Sequence, residues 1–217
     1  GSQIPKDAII VSLMKGVENE TGLRMSEVIA EVTGADPERI AVVSGPNLSL
    51  EIAAGQPAAS VAASISAKTG QAVAEAARNE YFTTFTNKDV IGTEFGGILK
   101  NLIAVAIGIV NGVGYGENTK ASIMTRGLAE LTRFSVAYGA QHKTMVGLAG
   151  LGDLIATSES PLSRNHKAGE MLGKGYTLRE VQRRMSQTAE GLASVAPILQ
   201  LAAAKGVKMP IVEQVQL

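Results

Sequence analysis

The apolar residues of this chain change period near residue 88, and no other feature constrains the fold as much. Over residues 7–86, short apolar runs alternate with segments of helical spacing; beyond Asn87-Lys88-Asp89 only the helical period remains. Ala8–Leu13, Ile40–Val43, Ala58–Ile65 and Tyr81–Thr86 read as strands. The first is apolar almost throughout, as expected of a strand buried on both faces of a parallel sheet. Between the strands, Ser26–Thr33, Leu48–Ala54 and Thr69–Asn79 carry helical spacing, and Gly34 and Gly55 close the first two. Such alternation predicts an α/β sheet with crossover helices. The later helices are expected at Phe95–Val110, Asn118–Tyr138, Lys143–Leu148, Leu151–Thr157, Asn165–Leu172, Thr177–Met185, Ala189–Ala204 and from Pro210 onward. The expected organisation is an α/β region over 1–88 followed by an all-α region over 89–217.

At 217 residues the chain can bury a core without disulfide or metal staples. Lys and Arg total 20, as do Asp and Glu, so no overall basic field draws it to nucleic acid or an anionic membrane. With no Cys there is no disulfide framework, thiol catalysis or Cys-ligated metal. The two histidines, His142 and His166, make a poor metal set, and no metal is expected. Aromatic residues at 4% and the absence of Trp argue against base-stacking platforms. Leu102–Val110 is the most apolar stretch, but Gly108 interrupts it and it falls short of the roughly 20 residues that span a bilayer. It reads as a core helix. No export signal is visible, and a cytoplasmic protein is expected.

Residues with chemical potential sit in a few segments. Lys15-Gly16 follows the first strand, where ligands of parallel sheets gather, so Lys15 fits either an anion contact or a solvated surface position. Ser44-Gly45-Pro46-Asn47 lies between a strand and a helix; Gly45 permits close backbone approach to a phosphate, or simply makes the turn. Lys100-Asn101 falls inside the apolar helix. A buried lysine has a lowered pKa suited to acid/base work near neutrality, whereas one at a helix end snorkels to water. Asp153 and Thr157 share a helix face, and Asp153 is also a good N-cap. Ser163-Arg164-Asn165 supplies three polar donors, with Arg164 as a rigid fork for phosphate; capping by Ser163 or Asn165 beside a solvated Arg164 reads equally well.

Taken in order, these segments resemble the bacterial-type NAD(P)-dependent glycerol-3-phosphate dehydrogenase family. The resemblance rests on Lys15-Gly16-Val17-Glu18, Ser44-Gly45-Pro46-Asn47, Leu99-Lys100-Asn101 and the run 112–120 (GVGYGENTK). It continues through 125–130 (TRGLAE), 150–154 (GLGDL), Ser163-Arg164-Asn165 and Glu190-Gly191. It spans almost the whole chain in order and spacing. The resemblance implies a Rossmann domain followed by a helical substrate domain of the 6-phosphogluconate-dehydrogenase-like kind. It implies reversible, NAD- or NADP-dependent reduction of dihydroxyacetone phosphate to sn-glycerol 3-phosphate for glycerophospholipid synthesis.

By the same resemblance Lys100 is the proton donor and acceptor. The small phosphorylated three-carbon substrate would meet Lys15, Gly45, Asn47, Asn101, Asp153, Ser163, Arg164 and Asn165, with Asp153 bonding a substrate hydroxyl or orienting Lys100. The cofactor would meet Lys15, Ser49, Arg164, Thr188 and Glu190. Asn47 and Ser49 stand where relatives often carry Thr and Ala, and neither histidine receives a role. Two other readings belong beside this one: a related dehydrogenase of hydroxy acids or sugar acids, and a catalytically inert, self-associating piece.

No G-x-G-x-x-G opens a helix anywhere in the 217 residues, although the family carries that dinucleotide fingerprint at the start of its sheet. The opening Gly1-Ser2-Gln3 resembles the scar of tag removal, and the helix begun at Pro210 runs straight to Leu217. The expectation is a fragment lacking the pyrophosphate-binding half, inactive alone and able to form a homo-oligomer.

Overall fold

A computed structural model of the chain describes residues 4–185 and 190–216. Four strands form one sheet in the order β1-β2-β3-β4: β1 (Ile10–Ser12), β2 (Ile40–Ser44), β3 (Ala58–Ala63) and β4 (Phe82–Asn87). Helices α1 (Met25–Thr33), α2 (Ser49–Ala53) and α3 (Ala67–Ala77) connect them. β1 pairs with β2, and β3 with β4, in parallel, but β2 and β3 run antiparallel with Val43 opposite Ala62. The sheet is therefore mixed, and the expectation of a parallel one is corrected. An apolar run such as IAVV looks the same in either pairing, so the reversal left no trace in the periodicity.

β2 is buried at every residue. β1 is not: Ile9, Val11 and Leu13 are 38%, 43% and 68% exposed, which corrects the reading of a strand buried on both faces. As the edge strand it has a neighbour on one side only.

From residue 90 the described chain is helical. The organising element is α4 (Val90–Val113), seated on the N-cap Asp89, whose carboxylate accepts from the Gly92 N–H at 2.8 Å and the Gln141 N–H at 2.7 Å. It starts five residues before the expected Phe95, so that Gly92 joins Gly96 and Gly97 as a packing position inside the helix. α4 is buried continuously from Gly92 to Gly108. Around it lie α5 (Glu117–Ala137), α6 (His142–Met145), α7 (Asp153–Glu159), α8 (Arg164–Gly173), α9 (Leu178–Arg184), α10 (Glu190–Ala204) and α11 (Pro210–Gln216). The largest core cluster joins Phe95, Leu99, Leu102 and Ile103 of α4 to Phe134 of α5, Leu154 of α7 and Ile198 of α10. Long and apolar enough to cross a membrane, α4 is instead the hub of this core.

The α4–α8 contact depends on glycine. A Cβ on Gly108 or Gly112 would overlap the carbonyl oxygens of His166 and Glu170, and one on Gly169 or Gly173 would overlap those of Val105 and Ile109. Each helix thus presents glycines four residues apart to the other's backbone, and the axes approach closely enough to bring the start of α8 against the middle of α4.

Candidate functional site

Three segments meet where the end of the sheet faces the helical region. The first is the loop after β1, carrying Lys15. The second is α4, carrying Lys100. The third is the start of α7, entered through a π-helical turn at Leu148–Gly152. A glycine is required at position 150 of that turn, since a Cβ would overlap the Met145 carbonyl.

Asp153 is 1% exposed and is the first residue of α7; the N-cap position falls to Gly152. Its carboxylate is committed to lysines instead of to capping. Lys15 Nζ donates to Oδ2 at 2.6 Å and Lys100 Nζ donates to Oδ1 at 2.5 Å. Lys100 also donates to Thr157 Oγ1 at 2.6 Å, and Thr157 Oγ1 lies 3.3 Å from Asp153 Oδ1. The shared face of Asp153 and Thr157, evident in their spacing, therefore serves as a cradle for one ammonium. Thr157 is the functional residue that sequence reasoning placed correctly but gave no role.

Burial pushes the Lys100 pKa down to about 8; the Asp153 charge opposes that fall, and the Lys15 ammonium adds to it. A lysine with such a pKa can both give and take a proton near neutral pH. The snorkelling alternative does not apply to it, since the residue is 7% exposed.

Lys15 reaches Asp153 across Gly97 of α4. A Cβ there would stand 3.4 Å from Lys15 Cδ and Cε and 2.6 Å from Ser44 Oγ, so the glycine opens the seat for the lysine stem. Gly45 follows β2 at φ 148° with its Cα face against Ser60, a conformation that side chains rarely adopt. Pro46 reaches the Gly152 turn. Asn47 Nδ2 donates to Ser60 Oγ at 3.1 Å, and Ser60 Oγ donates to the Ser44 carbonyl at 3.0 Å. Asn47 Oδ1 and Ser44 Oγ are buried without a hydrogen-bond partner. Two orphaned polar atoms at the end of a strand suit a polar ligand.

The remaining candidates lie farther along. Ser49 is exposed at the start of α2. Asn101 is buried in α4 beside Lys100. Ser163 is buried and caps α8 by accepting from the His166 N–H at 3.2 Å. Asn165 Oδ1 accepts from the Gly191 N–H at 2.9 Å, and a Cβ on Gly191 would stand 2.7 Å from the Asn101 carbonyl oxygen. Asn165 is thereby linked through α10 to the residue after Lys100. Arg164 is exposed at the start of α8. Thr188 lies outside the described residues, and Glu190 is described only as the first residue of α10. His166 packs its Nδ1 against the Ser158 carbonyl, tying α8 to α7.

Residues 89–217 match the family described as NAD-dependent glycerol-3-phosphate dehydrogenase C-terminus, and residues 1–70 match its N-terminus. A glycerol-3-phosphate dehydrogenase (NAD(P)+) of Leifsonia xyli subsp. xyli is 69% identical over 207 residues, 95% of this chain and 56% of the relative. One from Corynebacterium diphtheriae is 55% identical over 215 residues, 99% of this chain and 65% of the relative. Among solved structures, glycerol-3-phosphate dehydrogenase from Coxiella burnetii superposes with a TM-score of 0.90 at 36% identity, covering 95% of this chain and 62% of that one. The Saccharomyces cerevisiae enzyme gives 0.86 at 25% identity, covering 98% and 64%. The chain thus spans 56% and 65% of the length of these two curated relatives.

Proposed function

Because the chain belongs to the NAD-dependent glycerol-3-phosphate dehydrogenase family, we propose that it is the catalytic part of an enzyme interconverting dihydroxyacetone phosphate and sn-glycerol 3-phosphate. The observation that carries this reading is the carboxylate of Asp153 shared between Lys15 and Lys100. NAD(P)H, when bound, supplies the hydride that reduces the C2 carbonyl.

Every other requirement falls to side chains. Carbonyl reduction builds negative charge on oxygen. Lys100 gives that oxygen a proton, and takes it back in the oxidative direction. The Lys15 ammonium, held at the buried Asp153, stabilises the charge as it develops. Asp153 keeps two cations together that would otherwise repel, and with Thr157 it aims Lys100. Asn101, Gly45 and Asn47 orient the three-carbon unit. Ser163, Arg164 and Asn165 grip the phosphate, with the guanidinium of Arg164 as the fork. Lys15, Ser49 and Arg164 serve the cofactor, to which the resemblance also assigns Thr188 and Glu190. The orphaned Asn47 Oδ1 and Ser44 Oγ fit the reacting end of such a ligand pair. For the pyrophosphate end these 217 residues carry no G-x-G-x-x-G fingerprint.

In this reading residues 1–88 belong to the dinucleotide-binding domain and 89–217 to the substrate domain, in a cytoplasmic enzyme feeding phospholipid synthesis. Oxidation of NADH or NADPH by dihydroxyacetone phosphate, catalysed by the protein at the length of its relatives, tests it. Turnover with hydroxy acids or sugar acids in place of the phosphorylated ketone would overturn it.

A further inference from the structure

We infer that Glu94, which the catalytic reading leaves without a role, is a positioning residue for Lys15. It locks the hairpin that follows Lys15 onto the helix that carries Lys100. The inference rests on the proposed function only for its catalytic consequence; the positioning itself is a matter of geometry.

Glu94 is 4% exposed in the first third of α4, where an unpaired carboxylate would be costly. All its capacity is spent on one segment. Oε1 accepts from the Ser26 N–H at 2.9 Å; Oε2 accepts from Ser26 Oγ at 2.7 Å and from Arg24 Nη1 at 2.5 Å. The carboxylate thus also satisfies a free N–H at the start of α1, where the helix dipole favours negative charge. Arg24 is held from its other side by Glu27, whose Oε1 accepts from Nη2 at 2.7 Å, and its own N–H donates to Glu27 Oε2 at 2.8 Å.

Arg24 is in turn tied to Lys15. It forms an antiparallel bridge with Val17, two residues after the lysine, and the Glu18 N–H donates to the Leu23 carbonyl at 2.8 Å. The tip of this hairpin is closed by the Glu18 carboxylate, which accepts from the backbone and hydroxyl of Thr21, each at 2.7 Å. Gly22 at the tip sits against Leu201 of α10. The hairpin over 17–24 is therefore a closed unit with Val17, two residues after Lys15, at one root and Arg24 at the other.

On α4, Glu94, Gly97 and Lys100 succeed one another three residues apart and so share one side of the helix. Glu94 anchors the far root of the hairpin, Gly97 seats the Lys15 stem, and Lys100 meets Lys15 at Asp153. A slip at Glu94 is passed along the hairpin to the Lys15 ammonium.

The test uses the titration of Lys100 as its readout, since a purely structural role would not move it. The charged groups facing Lys100 are Asp153 from α7 and Lys15 from the loop after β1, and Lys15 lowers its pKa. The chain is labelled with carbon-13 at lysine Cε and titrated by NMR as wild type, Glu94→Gln, Arg24→Met and Lys15→Met. The expected result is that all three variants move the Lys100 midpoint upward from about 8. The pair Glu94→Gln with Lys15→Met should move it no further than Lys15→Met alone.

Arg24→Met attacks the contact from its other partner, so misfolding of one variant, seen as a lost thermal transition, leaves the question answerable. A Lys100 midpoint unchanged in the Glu94 and Arg24 variants, while Lys15→Met moves it, overturns the inference. An unchanged midpoint in Lys15→Met does so as well. In the protein at the length of its relatives, Glu94→Gln should lower kcat/KM for dihydroxyacetone phosphate by roughly tenfold or more, the scale of a small misplacement of a catalytic group. Absence of turnover in the wild type sinks the catalytic reading alone, because the titration needs no activity.

Discussion

Lys15 and Lys100 hold opposite oxygens of a single carboxylate, at 2.6 and 2.5 Å from Asp153. Two cations at one buried site are stable only while the anion between them is present. Replacing Asp153 with Asn keeps the shape and removes the charge. Lys100 should then titrate below about 8, because Asp153 is the group that holds its pKa up against burial. The fold should weaken by about 3–5 kcal/mol, the cost of breaking a buried pair. Lysine NMR and a thermal melt measure both effects; a variant with the wild-type titration and melting temperature would remove Asp153 from this role.

The sign of the pH dependence follows from the same group. In the proposed reaction reduction needs Lys100 protonated, so its rate should fall as pH rises through about 8; oxidation needs it neutral and should rise through the same range. Steady-state rates in both directions, measured from about two pH units below that midpoint to about two above it, check this. Two profiles with the same slope would exclude a shared donor and acceptor.

Packing of the helical region supplies a prediction independent of chemistry. At Gly169 an added Cβ would overlap the Val105 carbonyl, and neither backbone can give way without parting α8 from α4. Gly169→Ala should therefore cost about 1–3 kcal/mol, the scale of overpacking. Gly70 inside α3 offers a contrast, since its nearest neighbour would be 3.8 Å away. Gly70→Ala should stabilise by roughly 0.5–1 kcal/mol through helix propensity. Denaturant melts of the two variants would refute the packing argument if their order were reversed.

The edge of the sheet makes a prediction about association. Ile9, Val11 and Leu13 line an apolar groove of about 600 Å³ with Val43, Ile52 and Val73, alongside the unpaired backbone of β1. Such an edge recruits a second strand. The 217-residue chain should form dimers or larger species in light scattering, and Val11→Lys should reduce them. A wild-type chain that stays monomeric at millimolar concentration contradicts this.

Much of this architecture could be read from residue patterns, for identifiable reasons. The burial of α4 gave continuous apolar spacing, and its lysine stood out against that background. The Asp153 and Thr157 face followed from a separation of four residues. Apart from the Asp153–Lys100 contact, which the resemblance offered as one reading, what escaped was long-range pairing. Nothing near Lys15 signals that its partner is Asp153, because the contact depends on how three segments fold together. The antiparallel step between β2 and β3 is silent, since both strands are apolar whichever way they run. Glu94 falls one residue before the helix expected from the sequence, and its partners Arg24 and Ser26 lie at the start of the distant α1, so nothing local points to them. Gly96 and Gly97 fall inside the expected helix, but that one meets the Ala149–Gly150 backbone and the other the Lys15 stem is set by distant neighbours and not by local sequence.

In the proposed reaction Lys100 moves the proton while the phosphate is held elsewhere. Lys100→Ala, made in the protein at the length of its relatives, tests this most directly in a steady-state assay of NADH oxidation by dihydroxyacetone phosphate. The expected result is a fall in kcat of at least about 100-fold, the range for loss of a positioned acid/base, with a much smaller change in KM. A variant that keeps more than about a tenth of the wild-type kcat would contradict it.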